Sequence, residues 1–259
     1  MKNKKTGLVL FILLLTVLLY PEGFMFFSKD HGALRSSMVA TQIKARGVTN
    51  PKILDAMLKV ERHRFVPDIM KPLAYNDGPL PIGEGQTISQ PYIVALMTDC
   101  IIIGGATEEA SLKNAAAKSP EKLKILEIGT GSGYQAAILG ELSYEVYTIE
   151  IVESLGKSAE KLLGELGYKN VFVRTGDGYK GWPEKAPFDR IIVTCAPDEV
   201  PKPLLDQLNP DGGRMIIPVG PRGDTQQLIL IKRSGDNYVR ELITYVMFVP
   251  MTGEGVKKN

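Results

Sequence analysis

Apolar and polar positions change period several times along this chain. After Lys2, Lys4 and Lys5 the residues from Leu8 to Tyr20 form a 13-residue run in which Thr16 alone is polar. The run falls short of the roughly 18 residues of a spanning helix and has no polar face, so it predicts a secretory signal or an anchor in preference to a core helix. Pro21-Glu22-Gly23-Phe24 offers no clear small-x-small cleavage site. Cleaved and retained readings both stand, as does a true start at Met25 or Met38 that would leave the run untranslated. Residues 1–30 are therefore expected to be a signal- or anchor-like segment and 31–259 a single domain.

Helical spacing begins at Leu34, with Met38, Ile43 and Ala45 apolar, and Gly47 is a natural stop. Asn50-Pro51 opens a second helix in which Ile53, Leu54, Met57, Leu58 and Val60 approximate the i, i+3, i+4, i+7 pattern. Residues 64–90 carry Pro67, Pro72, Pro79, Pro81, Gly83 and Gly85 and predict a long irregular segment, which in an ordered domain tends to be functional. A helix follows from about Pro91 to Ile103, then a polar, Ala-rich connector over 104–122.

Strand and helix then alternate. Leu123–Ile128, Glu145–Glu150, Asn170–Arg174 and Phe188–Thr194 are strand-like, with helices at Gln135–Leu142, Glu153–Leu166 and near Val200–Leu208. That order predicts an α/β fold with a doubly wound, mostly parallel sheet. Arg214–Val219, Gln227–Lys232 and Leu242–Val249 have no helices between them, so antiparallel strands should close one edge.

Composition narrows the function. Hydrophobic residues make up 44% of the chain and charged ones 23%, the usage of an ordinary globular protein. The net charge is +2, while residues 1–35 hold five cations against two carboxylates, so the excess lies at the N-terminus. No basic stripe is present that would serve nucleic acid. Two histidines and two cysteines, with no C-x-x-C or H-E-x-x-H, leave no basis for a metal site. Cys100 and Cys195 stand in apolar runs and read as packing thiols.

The chemistry concentrates in Glu127-Ile128-Gly129-Thr130-Gly131-Ser132-Gly133-Tyr134, where a strand ends and a helix opens. Three alternate glycines let backbone approach a ligand closely. Gly131, Gly133 and Ala136 also satisfy G-x-G-x-x-A, so a dinucleotide stays open at this point. Glu150, 19 residues after Gly131, can accept from a ribose diol in either case. Glu127 would repel a pyrophosphate but suits a cofactor carrying an ammonium, and the carboxylate of Asp177-Gly178 could accept from an adenine amino group. Together the acids favour S-adenosylmethionine.

These residues, with Arg62-His63-Arg64-Phe65-Val66-Pro67, Gly85–Pro91 (GQTISQP) and Gly212–Gly220 (GGRMIIPVG), resemble the protein-L-isoaspartate O-methyltransferase family from about Met38 to Met251. The resemblance implies a Rossmann-like methyltransferase fold, with the last strands in an unusual order and a helical N-terminal portion. It implies a monomeric cytoplasmic enzyme that methylates the free α-carboxylate of L-isoaspartyl residues in damaged proteins and peptides. Ser89 matches the family's active-site serine. Gly129, Gly131, Gly133, Glu150, Asp177 and Gly178 match its S-adenosylmethionine site, and Thr87 and Gln226 match positions near cofactor and substrate. The first 30 residues have no counterpart in that pattern, and the run at 8–20 adds a membrane association or export that the cytosolic pattern lacks. Cys195 stands where small residues are usual.

A carboxylate acceptor is already ionised at neutral pH, so no general base is required and positioning carries the rate. Ser89 could alternatively cap the helix near Pro91. Another class I methyltransferase, or a non-catalytic membrane-tethered module that binds the cofactor or a nucleotide, are the competing functions.

Overall fold

The computed structural model describes residues 30–102, 123–142 and 144–253. The apolar run at 8–20 and the connector at 104–122 lie outside the described residues. Among the described residues no helix is long and apolar enough to cross a membrane.

Helix α1, His31–Ser37, passes into a π-helical turn over Met38–Ile43 and a 3-10 turn over Lys44–Arg46. Gly47, at φ 96°, ends it where the sequence places the stop. The single uniform helix expected there is not formed. The wider π turn brings Met38 and Ile43, five positions apart, into the same buried core. Helix α2, Pro51–Lys59, starts on Asn50, whose side chain accepts from Lys52 N at 2.9 Å, and it buries Ile53, Ala56 and Met57. The 64–90 stretch is more ordered than its prolines imply. It contains 3-10 turns at Arg62–Phe65 and Asp68–Leu73, then a hairpin of β1, Leu80–Gly83, and β2, Gln86–Ile88. Glu84 (φ 53°) and Gly85 (φ 68°) form its turn, with the positive φ values that tight hairpins need. Helix α3, Pro91–Ile102, follows directly.

The central sheet holds β3 (Lys124–Ile128), β4 (Glu145–Glu150), β5 (Val171–Thr175), β6 (Arg190–Val193), β7 (Asp211–Val219), β8 (Gln226–Ser234) and β9 (Asn237–Val246). Their spatial order is β5-β4-β3-β6-β7-β8-β9. The first five are parallel; β8 and β9 are antiparallel, so the closing strands form a meander in simple sequence order. Helices α4 (Tyr134–Glu141) and α5 (Glu153–Glu165) cross between β3, β4 and β5, while α6 (Lys202–Asp206) is only five residues long. Strand β9 starts five residues before the expected Leu242. The tight turn at Gly235-Asp236 pairs Ser234 with Asn237 at once, and the polar start of the strand is exposed, so no apolar signal marks it.

Both sheet faces are buried. Ile125, Ile192, Ile216 and Leu230 join the core under α2, α3 and α4; Leu126, Ile128, Ile191, Val193 and Met215 join the opposite core. Adjacent residues thus serve opposite cores, which explains the continuous apolar runs. The chain lays β4 and β5 on one side of β3, then returns to place β6 on the other. A crevice opens at this reversal, beyond the carboxyl ends of β3 and β6.

Candidate active site

Gly129, the first residue beyond β3, turns at φ 96°, and a Cβ there would lie 2.5 Å from Thr194 Oγ1. Only glycine fits. Thr194, just past β6, donates its hydroxyl toward the carbonyls of Gly129 (2.7 Å) and Ile128 (3.0 Å), tying the diverging strand ends together. Glu150, buried at the end of β4, accepts from Gly131 N at 2.7 Å and from Val152 N at 3.0 Å. Its carboxylate is therefore held by two backbone amides before any ligand arrives. Glu127 is fully buried; Thr148 Oγ1 donates to its Oε2 at 2.5 Å, and burial pushes its carboxyl up to about 8. Both acids border one cavity, together with Gly129, Gly131, Gly178, Thr194 and Cys195. At Gly178 an added Cβ would meet Ile128 Cγ2 at 2.5 Å, so glycine is needed for close approach there too.

The far wall comes from the other end of the chain. Beyond β9, Ala196 N donates to Val249 O and Met251 N donates to Ala196 O, each at 2.8 Å. That pairing sets Val249, Pro250, Met251 and Thr252 against the cavity. A second cavity opens beside the first and shares Thr87, Ser89, Thr194 and Val249 with it. Its outer rim carries Tyr245 and Met247, which are 61% and 75% exposed.

Ser89 stands at the junction of the two cavities, half-buried between β2 and α3. Among the described residues its hydroxyl makes no hydrogen bond, so the first turn of α3 is not capped by it. Thr87, exposed on β2, borders both cavities. Three predicted residues lie just behind the walls. Gly133 is the N-cap of α4 and packs toward Leu163. The carboxylate of Asp177 accepts from Tyr179 N at 3.0 Å and is packed against Gly253. Gln226 accepts from Phe248 N at 2.7 Å and donates to Asp224 O at 2.8 Å, bracing Thr225 and Phe248, which line the second cavity.

Sequence reasoning missed Thr194, Gln135 and the 249–252 wall. Nothing local marks Thr194 or the wall, since both act through strands distant in sequence. The Arg62–Pro67 motif is explained by support: the Arg62 guanidinium lies 4.9 Å over the Tyr134 ring and Phe65 packs edge-on to it at 5.5 Å. Tyr134 is the first residue of α4 and lines the first cavity. Cys100 and Cys195 are free, and burial pushes both thiols up to about 12.

Comparison with known proteins is consistent across sequence and structure. The family model described as Protein-L-isoaspartate(D-aspartate) O-methyltransferase (PCMT) matches residues 34–256. The chain is 49% identical over 232 residues to Protein-L-isoaspartate O-methyltransferase 2 of Shewanella sediminis (strain HAW-EB3), covering 90% of this chain and 88% of that one. A solved structure named protein-L-isoaspartate O-methyltransferase superposes with a TM-score of 0.70 at 29% identity, over 85% of this chain and 66% of that one. A Plasmodium falciparum structure in complex with S-adenosyl-L-homocysteine shares the fold, with a TM-score of 0.66 at 23% identity, over 84% of this chain and 98% of that one.

Proposed function

The chain belongs to the protein-L-isoaspartate(D-aspartate) O-methyltransferase family, and from that premise we propose how its two cavities divide the work. The protein is an S-adenosylmethionine-dependent repair methyltransferase acting on L-isoaspartyl residues of proteins and peptides. The first cavity takes the cofactor and the second takes the isoaspartyl side.

The first cavity fits such a cofactor on its own chemistry. Gly129 and Gly178, where a Cβ would collide with Thr194 and Ile128, line the cavity with bare backbone, and Glu127 presents a buried carboxyl oxygen with no hydrogen-bond partner. Glu150, with two amide hydrogen bonds in place, retains lone pairs for a ribose diol. Asp177 is assigned the adenine amino group, Gly131 and Gly133 the glycine-rich turn around the cofactor, and Glu127 the side of the ammonium. Bound S-adenosylmethionine supplies an electrophilic methyl group on a sulfonium. The isoaspartyl α-carboxylate is ionised at neutral pH, with a reference pKa of about 3.5, so the chain removes no proton from it. Its task is to hold that carboxylate in line and keep water out.

Ser89 carries this reading: its unengaged hydroxyl stands where the two cavities meet, and we assign it to orient the substrate carboxylate by donating a hydrogen bond. Thr87 forms the same boundary, and Gln226 acts behind it through Thr225 and Phe248. We also assign catalysis to residues 31–259 acting as a monomer, with the run at 8–20 as a separate signal or tether; the family match beginning at residue 34 supports that boundary. The test is a methyl-acceptor assay with an isoaspartyl peptide and its normal aspartyl twin. Ester should form on the first alone. Tight S-adenosylhomocysteine binding with no methylation of either peptide would instead favour the non-catalytic module.

A further inference from the structure

Ser89 belongs to neither neighbouring element: β2 ends at Ile88 and α3 begins at Pro91. Its hydroxyl makes no hydrogen bond among the described residues, so the backbone alone sets where that hydroxyl lies. On the upstream side the backbone is held by Ile88, which is buried and pairs with Leu80 of β1. On the downstream side the hold passes to side chains. Gln90 Nε2 donates to Asp77 Oδ1 at 2.7 Å, and Arg46 Nη1 donates to Asp77 Oδ2 at 3.0 Å. The Arg46 guanidinium in turn lies 3.4 Å over the ring of Tyr92.

One carboxylate thus grips the residues on both sides of Pro91, Gln90 directly and Tyr92 through the cation. Pro91 between them has a fixed φ, and Gln90 O accepts from Val94 N at 3.1 Å to open α3. Holding these residues fixes the direction in which the chain leaves Ser89. We propose that Asp77 is a positioning residue for methyl transfer: by gripping Gln90, and Tyr92 through Arg46, it sets the Ser89 hydroxyl against the substrate carboxylate. The inference rests on the assignment of that carboxylate to Ser89 and adds Asp77 and Arg46 to the machinery.

Asp77 and Arg46 stand outside the walls of both cavities, so they act through the chain they hold and not by touching substrate. Their side chains are 38% and 42% exposed, and an ion pair so open to water adds little to stability. A pair with no further role would therefore leave both melting temperature and kinetics near native when removed. Positioning gives a different forecast. Moving an orienting group by about 1 Å costs up to about 100-fold in rate, while the loss of stability stays small.

The test is a double-mutant cycle between Asp77→Ala and Ser89→Ala, read as steady-state methylation of an isoaspartyl peptide by the full chain. Asp77→Ala alone should lower kcat about 10-fold, with peptide KM, S-adenosylhomocysteine affinity and melting temperature near native. In the Ser89→Ala background the same substitution should cost nothing further, because the hydroxyl it positions is gone. Arg46→Met keeps an apolar stem over Tyr92 but loses the charge; it should cost about 3-fold in kcat, again only when the Ser89 hydroxyl is present. Native kcat in Asp77→Ala overturns the proposal, and so does an equal loss with and without the Ser89 hydroxyl. If Asp77→Ala fails to fold, Arg46→Met decides by the same two criteria. Native kinetics in Ser89→Ala alone would instead remove the Ser89 assignment, and the positioning role with it.

Discussion

The two halves of the site are built differently. In the first cavity, which we assign to the cofactor, Glu127 and Glu150 are buried at the ends of neighbouring strands and locked by Thr148, Gly131 N and Val152 N. Where the second cavity, which we assign to the acceptor, meets the first, Ser89 is half-buried, Thr87 is exposed, and the Ser89 hydroxyl makes no hydrogen bond to a described residue. The largest single share of the first cavity's wall comes from one β-α-β unit between Glu127 and Val152; the second gathers Pro79, Thr87, Ser89, Gln90 and Ile93 with Thr194, Thr225 and Tyr245–Val249. A preorganised half can hold a constant cofactor tightly. An open half, with exposed Tyr245 and Met247 at its rim, suits an acceptor that arrives on many different polypeptides. Substitutions on the first half should therefore disturb binding and fold together, and on the second half turnover alone.

The harshest break of that contrast is Gly129→Ala, which forces a left-handed φ on alanine and drives its Cβ into Thr194 Oγ1. S-adenosylhomocysteine affinity should fall at least about 100-fold and the melting temperature should drop with it; calorimetry showing native affinity would mean the cradle is not where the cofactor lies. Ser89→Ala comes next. It should lower kcat/KM for an isoaspartyl peptide about 10- to 100-fold, with melting temperature and cofactor affinity unchanged. A lowered melting point with native kinetics would return Ser89 to a structural role. Asp177→Asn should weaken S-adenosylhomocysteine by about 10-fold while keeping an acceptor for Tyr179 N–H, so an unaltered Kd removes Asp177 from the cofactor site.

A smaller effect sharpens the comparison through pH. The Glu127 carboxyl is raised in the folded state to about 8, so the stability it contributes in mild acid is lost as the pH rises through that value. Without ligand, melting temperatures of Glu127→Gln should decline less between pH 5 and 8 than those of the unaltered chain; parallel profiles would show that Glu127 ionises normally. The smallest effect belongs to removal of residues 1–30, after which the domain should remain folded with unchanged kcat/KM. Unfolding of that truncated protein would place the segment inside the fold.

The sequence by itself determined the order of strands and helices, the antiparallel closing edge and the glycine-rich turn with Glu127 and Glu150 beside it. These are local: a Gly-rich turn must follow its strand, and a carboxylate at a strand end points into whatever crevice lies there. It did not show the hairpin at 80–88, because Pro81 and Gly83 are poor strand residues and the pairing is only a few residues long. Nor did it show the early start of β9, where a polar strand pairs without an apolar signature. Only the tertiary structure decided that Thr194 ties two strand ends together, that Gln135, held by Thr98, joins Glu127 in lining one cavity, and that Val249–Thr252 closes it. The same holds for Gln226, which the fold sets behind Thr225 and Phe248 in the wall of the second cavity. Each of these depends on a partner more than 20 residues away, and a short window of sequence carries no record of where the chain returns.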